Sequence, residues 1–317
     1  MADETRSLGF LLVPDFSMIA FTSAIEPLRS ANRMSGRALY RWRLVTKDGA
    51  PARSSSGITL MPDAAMADCG PVSALIVCAG IGVHRFREKE VFSWLRRSAR
   101  QGVRIGAICT GSHILARAGL LDRRRCTLHW ENIPGFAEEF PDIEVTTELF
   151  EIDDNRFTCS GGTAPLDMML HMIGLEHGHA LAAAVSDQFI HDRIRGPHDH
   201  QRMTLQSRLG IRDTKLLTVI AAMEANIEEP LSREELARGI GLSTRQLERL
   251  FRKHLDRTPK QYYMELRLRR ARQLLLQTSM SVLAVALACG FVSASHFSKC
   301  YRDTIGVSPR EERRELA

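Results

Sequence analysis

Residues 232–259 read SREELARGIGLSTRQLERLFRKHLDRTP, and residues 281–309 repeat their pattern as SVLAVALACGFVSASHFSKCYRDTIGVSP. Matching positions lie 49 residues apart until Val292 adds one residue, after which they lie 50 apart. Each copy predicts a helix, a tight turn at a glycine and a second helix. The four predicted helices span Ser232 to Ile240, Ser243 to Leu255, Ser281 to Cys289 and Ser293 to Ile305. The repeat therefore indicates two helix-turn-helix units, whose second helices enter the major groove of DNA.

The net charge of the chain lies at the same end as the repeat. Residues 211–317 hold 19 Lys and Arg against 13 Asp and Glu, whereas residues 1–210 hold 24 of each. Neutralisation of phosphates supplies most of the sequence-independent affinity for DNA. A basic domain joined to a neutral one therefore fits a DNA-binding protein.

Length and composition indicate about two domains of an ordinary globular protein. No apolar run approaches the ~20 residues of a membrane span, and the polar start of the chain is unlike a signal peptide. We therefore expect a cytoplasmic protein that makes no membrane contact.

The 7 cysteines are odd in number and lack C-x-x-C spacing, which favours reduced thiols. The pairs His177/His179 and His198/His200 lack the i, i+4 spacing of two metal ligands, so we predict neither a metal nor a cofactor.

The front part of the chain, from residue 7 to about 190, alternates strand-like and helix-like segments. The predicted strands are Leu8 to Val13, Tyr40 to Thr46, Ala74 to Cys78, Val103 to Ile108, Glu144 to Ile152 and Arg156 to Cys159. The predicted helices are Phe16 to Asn32, Lys89 to Gln101, Ser112 to Ala118, Pro165 to His177 and His179 to His191. This alternation predicts an α/β domain with a mostly parallel sheet and helices on both faces. Ligands of such sheets bind beyond the carboxyl ends of the strands.

One predicted strand end carries a candidate functional cysteine. The strand ending at Ile108 runs directly into Cys109-Thr110-Gly111, and a helix begins at Ser112. A turn of small residues between strand and helix holds the middle side chain in a strained, exposed position. The positive end of the helix would stabilise a thiolate there. The alternative is a structural cysteine, because cysteine is small and commonly buried.

The residues around this turn resemble the DJ-1/PfpI superfamily, which shares a flavodoxin-like fold with the class I glutamine amidotransferases. The resemblance rests on Ala-Ile-Cys-x-Gly around Cys109 and on Thr-Leu-His-Trp, which places His129 20 residues later. It implies that Glu26, on the first helix, supplies an acid beside the cysteine. PfpI-type peptidases have a histidine directly after the cysteine, where this chain has Thr110. Without an adjacent base the thiol is not activated for acyl transfer, so we do not expect an enzyme.

The C-terminal part resembles the AraC/XylS family of transcription regulators. The resemblance rests on Ala-Leu-Ala-Cys-Gly-Phe at residues 286–291, Ser-His-Phe-Ser at 295–298 and Gly-Val-Ser-Pro at 306–309. The two halves in this order resemble the GlxA-type subgroup. Glu311 and Glu312 replace the usual tail of the family, and we expect no effect of this change on the helix-turn-helix core.

The resemblance implies a ligand pocket in the front domain. Its expected lining residues are Glu26, Cys109, Thr110, His129 and Trp130. A carboxylate and an indole suit a cationic or zwitterionic ligand, because an aromatic face attracts a cation. GlxA-type regulators often sense amino acids or quaternary amines such as arginine, carnitine or glycine betaine, which implies a small nitrogenous effector. The alternative for Trp130 is packing in the core.

Base reading is assigned to the outward faces of the two recognition helices. The candidate DNA-binding residues are Thr244, Arg245, Arg249, Arg252, Ser295, His296, Lys299 and Arg302. A long helix from Thr258-Pro259 to Gln277 would join the two units, and its arginines (Arg267, Arg269, Arg270, Arg272) would meet phosphates or acidic neighbours. Since the two outward faces differ, the chain should read an asymmetric DNA site.

The predicted organisation is a ligand-sensing domain at residues 1–192, a linker at 193–211 and a DNA-binding domain at 212–317. The expected partners are double-stranded promoter DNA, a small-molecule effector and, for an activator, RNA polymerase. DJ-1-like domains commonly pair, which implies a homodimer through the front domain. Two alternatives stay open: a cysteine-dependent hydrolase or lyase with a DNA-binding tail, and a redox sensor that acts through Cys109.

Overall fold

A seven-stranded sheet forms the middle of the front unit in the computed structural model, which describes residues 5–314. The chain divides into two units, one ending at Gln201 and the other beginning at Arg202. The strands of the front unit are β1 (Arg6–Leu12), β2 (Tyr40–Thr46), β3 (Ala52–Arg53), β4 (Thr59–Leu60), β5 (Ala64–Ala65), β6 (Ala74–Cys78), β7 (Arg104–Ile108), β8 (Phe150–Asp153) and β9 (Arg156–Cys159). Its helices are α1 (Met18–Ser35), α2 (Lys89–Arg100), α3 (Ser112–Arg117), α4 (Ile133–Glu139), α5 (Ala164–His177) and α6 (His179–Gln188).

The order of the strands across the sheet is β5-β2-β1-β6-β7-β9-β8. All neighbours pair in parallel except β8, which runs antiparallel to β9, and β3 and β4 form a separate two-stranded sheet. Phe10 of β1 pairs with Leu44 on one side and Ile76 on the other. The predicted parallel α/β architecture is confirmed.

Both faces of the sheet are covered, as the continuous apolar strands require. Phe10, Ile76 and Ile108 pack with α1 and α5 on one face. Alternate residues such as Leu11 and Val77 pack with α2 and α3 on the other face. The two faces alternate because successive strand residues point to opposite sides of a sheet. Ligand binding is therefore expected beyond the carboxyl ends of the strands, where the loops begin.

Several sequence expectations differ from the structure of the front unit. The strand predicted from Glu144 forms regular pairing only from Phe150, because residues 144–146 instead exchange hydrogen bonds with the backbone of Cys126. Short helix α4 was missing from the predicted elements. Its seven residues are too few for helical periodicity to show.

The segment predicted to begin the linker is anchored to the front unit. The Asp167 carboxylate, fully buried on α5, accepts hydrogen bonds from Arg195 Nη2 at 2.6 Å and from the Arg195 backbone N–H at 2.7 Å. Gln201 Nε2 donates to Thr127 Oγ1 at 2.9 Å. The two compact units accordingly divide after Gln201. A polar Gly-Pro stretch looked like a linker because its partners lie far away in the sequence.

The second unit is helical throughout its regular structure. Its helices are α7 (Leu205–Leu209), α8 (Thr214–Ala225), α9 (Arg233–Gly239), α10 (Thr244–Leu255), α11 (Pro259–Gln277), α12 (Val282–Ala288), α13 (Ala294–Ile305) and α14 (Pro309–Arg314). Ser232, Ser243 and Thr258 each form a capping box with the residue three positions later. These boxes satisfy backbone N–H groups that a helix start leaves unpaired. The predicted starts of α9 and α11 are confirmed.

Each helix-turn-helix has its own core, and α11 contributes to both. Leu247 and Phe251 of α10 pack with Tyr262 from the first part of α11. Phe297 and Tyr301 of α13 pack with Leu274 from its last part. Both turns rest on glycines in the left-handed region, Gly241 at φ 64° and Gly290 at φ 73°. An added Cβ at Gly290 would lie 2.7 Å from the Ile227 carbonyl oxygen, so this turn requires glycine.

Candidate functional site

Helix α10 presents a basic face beside its buried stripe. Leu247 and Phe251 are fully buried, while Arg245, Arg249 and Arg252 are exposed. Thr244, at the first position of the helix, is half-buried. The helix is amphipathic because its apolar residues recur at a spacing of about four. Its exposed side is therefore available to a negatively charged partner.

Helix α13 presents a different face. Its four predicted DNA-binding side chains are all exposed: Ser295, His296, Lys299 and Arg302. The sulfur of Cys300 lies 3.4 Å from His296 Nε2, one turn away on the same helix. Val292, the extra residue of the second copy, is 92% exposed in the turn before α13. The inserted residue thus lies outside the packed core, and the second unit keeps the same two-helix arrangement.

Arg267 on α11 holds the turn of the second unit. Its Nε donates to the Cys289 carbonyl at 2.8 Å, and its Nη2 donates to the Gly290 carbonyl at 2.7 Å. Its guanidinium lies 4.1 Å from the centre of the Phe291 ring. The expectation of a phosphate or acidic partner is wrong for this arginine. The helical period marks it as inward-facing, since Tyr263 and Ala271 lie four residues to either side and are buried.

Other arginines of α11 do meet acidic neighbours, as predicted. Arg269 pairs with Glu265 at 3.5 Å, and Arg272 pairs with Glu312 at 2.8 Å. Glu312, however, was expected to have no effect on the helix-turn-helix core. It is only 6% exposed and also accepts a hydrogen bond from the Tyr301 hydroxyl at 3.1 Å. Short helix α14 brings this carboxylate back onto α13, which the sequence does not reveal.

Cys109 in the front unit occupies the strained turn that the sequence predicts, but its side chain is buried, so the expectation of an exposed position is wrong. Its φ is 59°, in the left-handed region, and its backbone N–H donates to the Cys159 carbonyl at 3.0 Å. Burial raises the pKa of the thiol to about 11, although hydrogen bonds from the Thr110 backbone and the Ser17 side chain act to lower it. The expectation of a stabilised thiolate is therefore wrong. Helix α3 has only six residues, and its favourable field is outweighed by desolvation.

Three further predicted pocket residues lie on the turn at Cys109 or on the segment that bonds to it. The Thr110 hydroxyl donates to the Gly80 carbonyl at 2.7 Å. The backbone N–H of His129 donates to the Cys109 carbonyl at 3.2 Å, and the His129 and Trp130 rings have centroids 5.8 Å apart. Burial lowers the pKa of His129. Both aromatic side chains are half-buried and therefore partly accessible.

Glu26 is not placed beside the cysteine. Its carboxylate bonds to Arg29 Nε at 2.7 Å on the same helix. Ser17, which caps α1 and hydrogen bonds to Cys109, precedes Glu26 by nine residues. At 1.5 Å per residue these two positions are about 13 Å apart along the helix. The carboxylate whose charge raises the pKa of Cys109 is that of Glu131. Glu131 directly follows Trp130 in the sequence.

Comparisons with known proteins follow this division of the chain. The DJ-1/PfpI family matches residues 7–175, and a helix-turn-helix domain matches residues 236–315. The HTH-type transcriptional regulator GbdR of Pseudomonas aeruginosa is 53% identical over 308 residues, which cover 97% of this chain and 84% of GbdR. The HTH-type transcriptional regulator GlxA of Rhizobium meliloti is 39% identical over 312 residues, 98% of this chain and 96% of GlxA. The chain belongs to the GlxA-type family of AraC transcriptional regulators.

A solved structure supports the fold of the front unit of this GlxA-type regulator. The AraC family transcriptional regulator of Pseudomonas putida matches with a TM-score of 0.54 and 26% identity, over 58% of this chain and 99% of that chain. The predicted resemblance, the fold class and the function of a DNA-binding transcription regulator are confirmed. The individual DNA-contacting and ligand-contacting residues stay predictions.

Metal and membrane contacts were expected to be absent. Within residues 5–314, no group of three or more His, Cys, Asp or Glu side chains is arranged to hold a metal ion. None of the helices described in that range has the length and apolar character needed to span a membrane.

Proposed function

We propose that this regulator binds a small nitrogenous metabolite in its front unit and reads an asymmetric promoter site with α10 and α13. The proposal for DNA rests on the exposed basic side chains of α10, which stand on a helix with a buried apolar stripe and a capped start. Activation through RNA polymerase, pairing through the front unit and action in the cytoplasm complete the proposal. These parts of the proposal follow from the resemblance to the family.

The test of DNA reading uses the full chain and a DNA fragment selected for binding from a random pool. Arg249→Ala should lower specific affinity by about 1 to 3 kcal/mol at fixed salt, since an arginine that contacts a base edge supplies that much. Arg41→Ala is the matched control, because it removes the same charge from an exposed position of β2 in the front unit. Equal affinity of the R249A and R41A variants in a mobility-shift titration would reject this role of α10.

The effector is proposed to bind at the carboxyl edge of the sheet, near Cys109, Thr110, His129 and Trp130. Support comes from the strained turn at Cys109 and the partly accessible aromatic pair beside it. Binding to the folded state raises stability by mass action. We expect glycine betaine, L-carnitine or L-arginine to raise the unfolding temperature of the full chain.

Within this proposal Cys109 lines the pocket and performs no covalent chemistry. A thiol with a pKa of about 11 is protonated near neutral pH, whereas the thiolate is the reactive form. Cys109→Ser should therefore keep the thermal response to the effector. A folded C109S variant that binds DNA but has lost the response would favour the enzyme or the redox sensor instead.

A further inference from the structure

The strand order creates a crevice between β1 and β6. After β1 the chain moves to one side of it, to β2 and then β5, and it returns on the other side at β6. The loops that follow β1 and β6 thus leave in opposite directions from adjacent strands. Open α/β sheets bind ligands at such a point, outside the carboxyl ends of the strands. Cys109 follows β7, which is the next strand beyond β6.

A cavity of about 230 Å³ opens at this crevice. Residues 13–15, after β1, form one wall and residues 79–83, after β6, form the other, while residues 85–88 (Arg85, Phe86, Arg87 and Glu88) complete the lining. The volume is below the roughly 300–1,000 Å³ of pockets that hold drug-sized molecules. The cavity therefore suits a small metabolite.

The backbone at the crevice is held in an unusual conformation. Asp15 has a φ of 60°, in the left-handed region that non-glycine residues seldom adopt. Its carbonyl accepts a hydrogen bond from the Ile81 N–H at 3.1 Å. A Cβ at Gly80 would lie 2.2 Å from the same carbonyl oxygen, so only glycine permits this approach. Strain of this kind is concentrated at ligand-binding sites, where it fixes the direction of a side chain.

The charged groups that line the cavity have opposite signs. Within residues 5–314 the Asp15 carboxylate forms no hydrogen bond or ion pair, although the residue is half-buried. Arg87 uses its Nη1 for the carbonyls of His84 and Phe86, and its Nε and Nη2 have no hydrogen-bond partner in that range. Phe86 offers an aromatic surface in the same cavity. The half-buried, unpaired Asp15 carboxylate favours a ligand that supplies a cation. Arg87 is exposed, and its remaining donors are free to meet an anion.

We propose that the crevice between β1 and β6 is the site where the charged groups of the zwitterionic effector bind. Its cationic nitrogen lies against Asp15, its carboxylate faces Arg87, and its apolar part contacts Phe86. The hydrogen bond from Thr110 to the Gly80 carbonyl, at 2.7 Å, connects this crevice with the turn at Cys109. This inference rests on the proposed function and adds the place in the front unit where the charged groups of the ligand bind.

The test is calorimetric titration of the full chain with glycine betaine, L-carnitine and L-arginine. Asp15→Asn removes the charge while keeping a residue that tolerates the left-handed conformation. We expect it to weaken binding by about tenfold or more, because a charge-assisted contact is lost. Asp187→Asn is the control variant, since it makes the same change at an exposed position of α6 that does not line the cavity.

A second arm separates the two ends of the ligand. Choline keeps the quaternary nitrogen of glycine betaine and lacks its carboxylate. Arg87→Gln should weaken binding of glycine betaine and leave that of choline unchanged, whereas Asp15→Asn should weaken both. If the parent chain binds a zwitterionic ligand and D15N binds it equally well, the crevice is not the site, although the proposed function stands. If the parent chain binds none of the three zwitterions, the proposed effector class itself fails.

Discussion

His113 on α3 is a buried histidine whose imidazole lacks a hydrogen-bond partner. The residue is 1% exposed, and neither ring nitrogen is bonded within residues 5–314. The ring packs edge-on against Phe136 at 5.0 Å. Burial lowers its pKa to about 3, and the charges of Arg117, His84 and Arg87 act in the same direction. Glu139, whose Oε2 lies 3.8 Å from Nδ1, does not compensate for the desolvation.

This histidine makes the front unit sensitive to acid. An unfolded histidine titrates near pH 6.5, so between about pH 6.5 and pH 3 the unfolded state binds the extra proton. The stability that the neutral ring supports is complete above the unfolded pKa and is lost as pH falls. His113→Phe should remove up to about 1.4 kcal/mol of this loss per pH unit. The measurement is thermal unfolding at pH 7 and pH 4.5, with His179→Phe as an exposed control; equal acid sensitivity of H113F and the parent would contradict the prediction.

The cysteines differ in access to solvent. Cys300 is half-exposed, whereas the other six cysteines are buried. At pH 8 the high pKa of Cys109 keeps its thiol protonated. We expect iodoacetamide to label Cys300 first and Cys300→Ser to abolish the fast phase, while Cys109→Ser keeps it. Rapid labelling of Cys109 in a peptide map would restore the redox-sensor alternative.

At the scale of elements, α11 does more than join the two helix-turn-helix units. It contributes buried residues to both cores, and through Arg267 it bonds the turn that orients α13. The position of the second recognition helix thus depends on a side chain that lies outside that helix.

Arg267→Met should impair the reading of one half-site only. Methionine fills the space of the arginine stem but cannot bond the Cys289 and Gly290 carbonyls, which would be left without these donors. Footprinting should show protection by α10 retained and protection by α13 weakened. Arg269→Met is the matched control, because that side chain is 64% exposed on the same helix and pairs only weakly with Glu265. Uniform weakening of both half-sites, or none, would show that Arg267 does not act on the turn.

At the scale of the molecule, the two recognition helices α10 and α13 expose different side chains. The DNA site that one chain reads therefore has a direction. Helix α10 exposes three arginines, and helix α13 exposes a serine, a histidine, a lysine and an arginine. Inverting one half-site within the selected DNA should lower affinity by about tenfold or more, since several base contacts are lost together. Inverting the whole site should change nothing. If a mobility-shift titration shows equal binding to the fragment with one inverted half-site, α10 and α13 recognise the same base sequence.

Periodicity and turn chemistry determined most of the element order from the sequence alone. The pattern of apolar residues predicted both helix-turn-helix units and the strands β2, β6 and β9 with their observed bounds. The glycine turns and the Ser232 capping box were likewise readable, because each depends on residues within a few positions of one another. Family resemblance added the identity of the two domains.

Tertiary structure alone decided which distant groups meet. Asp167 with Arg195, Glu312 with Tyr301, and Arg267 with the Gly290 turn are contacts that no local pattern encodes. The protonation of Cys109 was also misjudged from the sequence, since burial depends on every element packed around the thiol and outweighs the nearby helix start. The crevice at Asp15 likewise exists only through the strand order, which brings the ends of β1 and β6 together. Local order follows from short-range bonding, whereas electrostatics and cavities follow from the assembled fold.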